Sequence, residues 1–198
     1  MNRVPLHGRF VRLEPLEARH RDEMRAIEGD DDIWRYSPAD KQGGPYSRWL
    51  ETWFERALAA SEDVVYAVRE LGRGRVVGST RFLNVAPADR RVEIGATWYE
   101  RGARRTAVNP ECKLLLLAHA FETVGCVRVE LRCDARNTAS RTAIARLGAV
   151  QEGILRRHRV LGDGFIRDTV VFAVLDGEWP AVRAALESRL ARFDPPRP

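Results

Sequence analysis

The stretch "RRVEIGATWYERGARRTAVNPECKLLLLAHAFETVGCVRVELRC", Arg90 to Cys133, holds two strand-like runs with a helical run between them. In the first, Val92, Ile94, Ala96 and Trp98 fall on one face, and Arg91, Glu93, Gly95 and Thr97 on the other. "VRVELRC" (127–133) reads as another strand. Between them, Leu114, Leu117, Ala118, Phe121 and Val124 recur at helical spacing and predict an amphipathic helix. Asn109 fits the N-cap of that helix and Pro110 its first position. Strand, helix and strand in this order form a crossover in the middle of the chain.

Upstream, "GRFVRLEPL" (8–16) reads as a first strand and "EARHRDEMRAIEG" (17–29) as a polar helix. "DDDIWRYSPADKQGG" (30–44) is an acidic, turn-rich loop. "PYSRWLETWFERALAA" (45–60) places Trp49, Leu50, Trp53, Phe54, Ala57 and Leu58 at helical spacing. "VVYAVREL" (64–71) and "RVVGSTRFLNV" (75–85) are strands joined through "GRG", a hairpin. Downstream, "NTASRTAIARLG" (137–148) is a helix stopped by glycine. "AVQEGILRRHRV" (149–160) and "FIRDTVVFAVL" (165–175) are strands joined by "LGDG". "EWPAVRAALESRLARF" (178–193) is a closing helix before the tail "DPPRP". The order predicts an α/β (α+β) chain on one mixed, mostly antiparallel sheet of about seven strands flanked by helices. No repeat or linker divides the chain, so residues 1–198 read as one domain.

With 44% hydrophobic and 31% charged residues, the composition is that of a globular protein. The net charge is +5, and all but two of the 33 basic residues are arginine. A basic balance points to anionic partners, although arginines spread among acids also fit a genome-wide arginine preference. No nucleic-acid motif accompanies them, so no nucleic acid is expected. Cys112, Cys126 and Cys133 are odd in number and form no close pair, which argues against a disulfide framework. Their spacing from His7, His20, His119 and His158 fits no zinc site, and no metal is expected. "MNRVPLHGRF" has no apolar signal core and no run reaches membrane-spanning length, so a cytoplasmic protein without a membrane partner is expected.

Arg104 and Arg105 precede the central helix. Cations at the positive end of a helix dipole are unfavourable unless an anion sits with them. The arrangement suits a phosphate on the helix start. The other reading is that both are solvated loop residues.

Several segments resemble the GNAT superfamily of acyl-CoA-dependent N-acetyltransferases, in the branch related to RimJ and RimL. "GRFVRLEPL" is similar to that branch's opening strand, "VEIGATW" to its Glu-Ile-Gly signature, and "VNPECKLLLLAHAFE" to its third helix. "ELRCDARNTASRTAIARLGAVQEGILRR" resembles its "N-x-x-S … LG-[AF]-x-x-EG" segment and is the most specific of the four. The likeness runs from Arg9 to Trp179. It implies a GNAT fold with a central strand–helix–strand unit that binds acyl-CoA. It also implies acetyl-CoA as cosubstrate, direct acetyl transfer to a primary amine (a protein N-terminus or a small amine), and a homodimer. The pyrophosphate would lie on the backbone N–H groups from Ala107 to Glu111. The implied cofactor-binding residues are Arg104, Arg105, Thr106, Ala107, Asn109, Asn137 and Ser140. Where the family's phosphate loop reads [QR]-x-x-G-x-[GA], this chain has Arg104, Ala107 and Asn109, so both glycines are missing. That departure leaves open an acyl-CoA-binding sensor or pseudoenzyme without turnover.

Amine acetylation needs a base, a donor for the developing oxyanion, and a proton for the leaving thiolate. Glu93, a carboxylate within a strand pattern, is the candidate base; its alternative is a salt bridge with Arg91 or Arg81. By resemblance, the amides of Ile94 to Thr97 face the oxyanion and Ser140 is the acid. The alternative is that Asn137 caps its helix with Ser140 behind it. The cysteines are not read as nucleophiles, because the family's acceptors attack directly. His119 reads as a packed helical residue, and His158 as a residue that could line the acceptor mouth. Trp34, Tyr36, Trp49, Trp53 and Trp98 read as core or as walls of an acceptor pocket.

Overall fold

Branched and aromatic residues build the strands β1 (Leu6–His7), β2 (Val11–Pro15), β3 (Val64–Glu70), β4 (Arg75–Ala86), β5 (Arg91–Tyr99), β6 (Arg128–Asp134), β7 (Val150–Val160) and β8 (Ile166–Leu175). The helices are α1 (Arg21–Arg25), α2 (Tyr46–Ala59), α3 (Val108–Ala118), α4 (Thr138–Ala145) and α5 (Trp179–Leu190). This computed structural model describes residues 1–27, 36, 46–161 and 163–193. Most of the expected acidic loop, Trp34 and the tail lie outside the described residues.

The strands join in one sheet, in the order β1-β2-β3-β4-β5-β6-β8-β7. Every neighbour is antiparallel except the pair β5 and β6, which the α3 crossover sets parallel. The sheet is therefore mixed, as expected, but has eight strands. The extra one is Leu6–His7, too short to show a period, which pairs with Leu13 and Arg12 at the edge. The first helix is also shorter than expected: a 3-10 turn over Ala18–His20 leads into α1.

One face of the sheet packs Val11, Leu13, Phe82, Val92, Ile94, Val129 and Leu131 under α3 and α5. The other packs Val65, Ala67, Val76 and Trp98 under Met24 of α1 and Leu50, Trp53, Phe54 and Ala57 of α2. The tryptophans belong mainly to this second core: Trp49 stacks on Trp53, and Trp98 meets both edge-on.

Two corrections come from packing. The stripe of α3 that enters the core is Val108, Cys112, Leu116 and Leu117, followed by Ala120, whereas Leu114 and Phe121 are half-buried and Val124 is 43% exposed. The "LLLL" run makes α3 apolar around most of its circumference, so its period alone does not choose the buried face. The helix also packs against α5, where Phe121 stacks on Trp179, and it ends in a wider π-type turn over His119–Thr123. Its start differs too. Ala107, not Asn109, is the N-cap, because its carbonyl accepts the first intrahelical bond, from the Glu111 amide at 3.0 Å, while the Thr106 hydroxyl takes the Val108 amide at 3.2 Å.

Glu111, in the first turn of α3, is buried although charged. Its carboxylate accepts the amides of Arg9, Phe10 and Val11 at 2.9, 2.6 and 2.7 Å, tying the crossover helix to the start of β2. Gly8 makes room for it, since a Cβ there would stand 2.5 Å from the carboxyl group.

Candidate active site

Parallel pairing of β5 with β6 is confined to Arg91, Val92 and Glu93 against Arg128, Val129 and Glu130. Beyond Glu93 the two strands part: β5 stays with β4, and β6 stays with β8. The result is a wedge with Glu93 at its vertex. Its facing edges offer peptide groups to an extended amide-bearing chain, as an unpaired strand edge does.

A bulge shapes one wall. Arg81 pairs with Gly95 and Ser79 with Trp98, so β5 carries one more residue than β4 across this interval. Ala96 takes it up in the left-handed region, at φ 44°. The residue that a bulge adds drops out of the ladder, which leaves peptide groups near Ala96 and Thr97 outside the β4–β5 pairing. The bulge also corrects the expected alternation: Val92 and Ile94 face α3, but Trp98 crosses to the α2 face and Tyr99 takes its place.

Glu93 is buried, 7% exposed. Its Oε2 accepts Asn84 Nδ2 at 2.7 Å and lies 3.4 Å from Arg132 Nε. Neither Arg91 nor Arg81 is its ion-pair partner: Arg91 meets Asp89 and Arg81 meets Asp63. Gly95 shares the face of Glu93, and a Cβ there would come within 3.1 Å of the carboxylate. The "EIG" spacing thus keeps space open for the Glu93 side chain.

At the phosphate-loop position, Arg104 Nε donates to the Tyr99 carbonyl at 3.0 Å, whereas Arg105 is exposed. Arg105 is also left-handed, at φ 63°. Ala107 sits at φ −64°, which any residue tolerates, so a glycine is not required there. The run of amides expected from Ala107 to Glu111 is narrower in the fold. Thr106 caps Val108, Pro110 has no N–H, and Glu111 donates to the Ala107 carbonyl at 3.0 Å. That leaves Ala107 and Asn109 to offer amides at the helix start. The Asn109 side chain accepts from the Tyr99 hydroxyl at 3.3 Å.

Asn137 is the N-cap of α4, accepting the Ser140 amide at 2.9 Å, as read from the sequence. Burial pushes the thiol of Cys133 of β6 up, and Ser140 lies close enough to lower its pKa against that larger push. Cys133 belongs to the α3-side core, so Ser140 and Glu93 flank the wedge from opposite faces of the sheet. Burial pushes the Cys112 thiol up to about 12, which keeps it protonated. His119 is buried against Phe82, and burial lowers its pKa. His158 Nδ1 lies 3.1 Å from Thr169 Oγ1, and burial together with Arg159, Arg132 and Arg167 lowers its pKa.

Sequence reading missed Lys113, Asn84, Arg132 and Arg167. Lys113 left a signal, a charge inside an apolar helical run. It is buried, donates to Thr97 Oγ1 at 3.1 Å, and burial brings its pKa down to about 8. The other three meet the site through strand pairings that no local pattern specifies. Among the described residues, no His/Cys/Asp/Glu group could hold a metal, and no helix is long and apolar enough to cross a membrane.

The geometry fits acyl-CoA: a wedge for its amide-bearing arm, amides at a helix start, and Arg105 exposed beside them. Residues 11–150 match the acetyltransferase (GNAT) domain family. Similar solved structures include a GCN5-related N-acetyltransferase from Brucella melitensis, 31% identical, with a TM-score of 0.88, covering 96% of this chain and 86% of that one. A probable acetyltransferase of the GNAT family from Chromobacterium violaceum is 35% identical, with a TM-score of 0.81, covering 91% of this chain and 90% of that one. Mycobacterium smegmatis RimJ in complex with CoA-disulfide is alike in fold, at 22% identity and a TM-score of 0.72, covering 94% and 93%. No match is found among curated proteins.

Proposed function

The chain belongs to the acetyltransferase (GNAT) domain family, and from that premise we propose that it transfers an acetyl group from acetyl-CoA directly to a primary amine, on a protein N-terminus or a small molecule. The observation that carries this reading is Glu93 at the vertex of the β5–β6 wedge, where an amine and a thioester in the wedge would meet. Glu93 takes the proton that the attacking amine must lose. Peptide N–H groups beside the Ala96 bulge face the developing oxyanion. Ser140 gives its hydroxyl proton to the departing thiolate from the opposite side of the sheet. Arg105, Thr106 and the amides of Ala107 and Asn109 hold the pyrophosphate, with Arg104 bracing the loop through Tyr99 and Asn137 ordering α4 near the cofactor arm.

A coenzyme-binding protein without turnover was suggested by the missing glycines. Ala107 at φ −64° and Asn109 inside α3, neither of them left-handed, do not need the freedom of glycine, which weighs against that reading. We further propose a homodimer, on resemblance to the RimJ/RimL-related branch, and a cytoplasmic place of action. A mass-spectrometric screen of amines with acetyl-CoA, run beside a thiol-release assay, tests the reading. N-acetylated product matched by equimolar free CoA thiol is expected. Acetyl-CoA binding without thiol release for any amine would reject it.

A further inference from the structure

Arg167 of β8 shares the sheet face of Glu93, Arg132 and Asp134, opposite the α3 core. It is 6% exposed. Its Nη1 donates to the Tyr36 carbonyl at 3.3 Å, and its Nε is buried without a hydrogen-bond partner. Among the described residues no carboxylate is in contact with it. The two acids whose fields reach it are committed elsewhere. Asp134 is clasped by Arg136 through Nε at 3.0 Å and Nη2 at 2.8 Å. Glu93 is held by Asn84 and Arg132. Arg159 pairs opposite Arg167 in the sheet and adds like charge.

A buried guanidinium without a contacting counter-charge is costly. Here the edge formed by Nε and Nη2 is bonded to no protein group among the described residues. That edge presents two parallel N–H donors, the geometry that a carboxylate accepts side-on. We propose that Arg167 receives the carboxylate of the acceptor, so that the substrate class is the free amino acids and related amino-carboxylates. This rests on the acetyltransferase reading, since the amine of the same molecule is delivered to Glu93. Burial lowers the pKa of Arg167, and Arg159 lowers it further, while Asp134 acts against them; an incoming carboxylate acts in the same direction as Asp134.

The test compares acetyl transfer to L-amino acids and to their carboxamides, in the wild type, R167Q and R167K, with CoA affinity measured for each. The carboxamide is the more easily deprotonated amine, so a preference for the acid must come from recognition of its carboxylate. The wild type is expected to favour the acids by on the order of ten- to a hundred-fold in kcat/KM, the range of a charge-assisted pair. R167Q brings that ratio close to one, and R167K, a charge without the fork, lies between. Wild-type enzyme that acetylates carboxamides or plain amines as well as acids overturns the proposal while leaving the acetyltransferase reading intact. A preference that survives in R167Q assigns the carboxylate to another group. Should R167Q not fold, the wild-type ratio and R167K decide. Turnover with no amine at all overturns both readings.

Discussion

The Nζ of Lys113 stands 3.1 Å from Oγ1 of Thr97 and joins the second turn of α3 to β5, one residue past the bulge at Ala96. Thr97 Oγ1 lies in turn 2.8 Å from Thr80 Oγ1 on β4. The wall of the wedge is thus braced by a buried ammonium with no carboxylate in contact among the described residues.

That ammonium has a pH signature. Burial lowers its pKa from 10.5 to about 8, so between those values the unfolded chain binds a proton that the folded chain does not. Stability therefore rises with pH across this window, and the full penalty, of the order of 3 kcal/mol, applies below it. Lys113→Met keeps the bulk and removes the charge. The variant is expected to be more stable than wild type by about 1–3 kcal/mol near neutral pH, less the lost hydrogen bond to Thr97, with the gap closing as the pH approaches 10.5. Urea denaturation of both proteins across this range checks it, and a gap independent of pH contradicts it.

Glu111 accepts three backbone amides, which a glutamine cannot do, because its NH2 would point at donors. Glu111→Gln should cost roughly 2–4 kcal/mol, since charge-assisted bonds are lost and buried N–H groups are stranded. Urea midpoints measure this. A loss below about 1 kcal/mol would mean that the β2–α3 tie is not carried by this carboxylate.

Glu93→Gln should lower turnover at least about a hundred-fold near neutral pH, with acetyl-CoA affinity within a few-fold. High pH recovers part of the loss, because more of the amine is then already neutral. Arg132 retains Glu130 at 2.6 Å, so the variant keeps a partner for the guanidinium. Near-normal turnover on an identified acceptor would leave Glu93 a structural residue.

Arg104 and Arg105 should separate. Arg105→Glu is expected to weaken CoA binding about ten-fold with little change in stability, because its side chain is exposed. Arg104→Glu should lower stability as well, because its bond to the Tyr99 carbonyl goes with it. Calorimetric titration and thermal melts read the two effects. CoA binding unchanged in Arg105→Glu would remove that residue from the site.

The edge strand β7 exposes Val150, Ile154, Leu155 and Val160. Burial of such an edge in a second copy would be the basis of the proposed homodimer. Light scattering should give twice the 22.5 kDa chain mass, and Ile154→Glu should shift it toward the monomer. A wild-type mass near that of one chain at every concentration argues against the dimer.

The order of strands and helices, the parallel crossover and the Asn137 cap were legible in the sequence, because each rests on residues a few positions apart. Period-two alternation marks strands, helical spacing marks α2, and an asparagine before a helix offers its side chain to the first free amide. The glutamate before Ile94 and Gly95 also stood out, as a charge within a strand pattern. What only the tertiary structure decided depends on which strands become neighbours. The extra residue at Ala96 exists only relative to β4, yet it sends Trp98 to the other core. Arg132 meets Glu93 because β6 lies beside β5, and α3 buries Lys113 because its apolar surface packs on two partners. Arg167 lacks a carboxylate in contact because Asp134 and Glu93, far from it in the chain, are each held by another arginine. Local periodicity states which face of an element is apolar; the bulge, the ion pairs and the buried charges follow from contacts between distant segments, which no short-range pattern encodes.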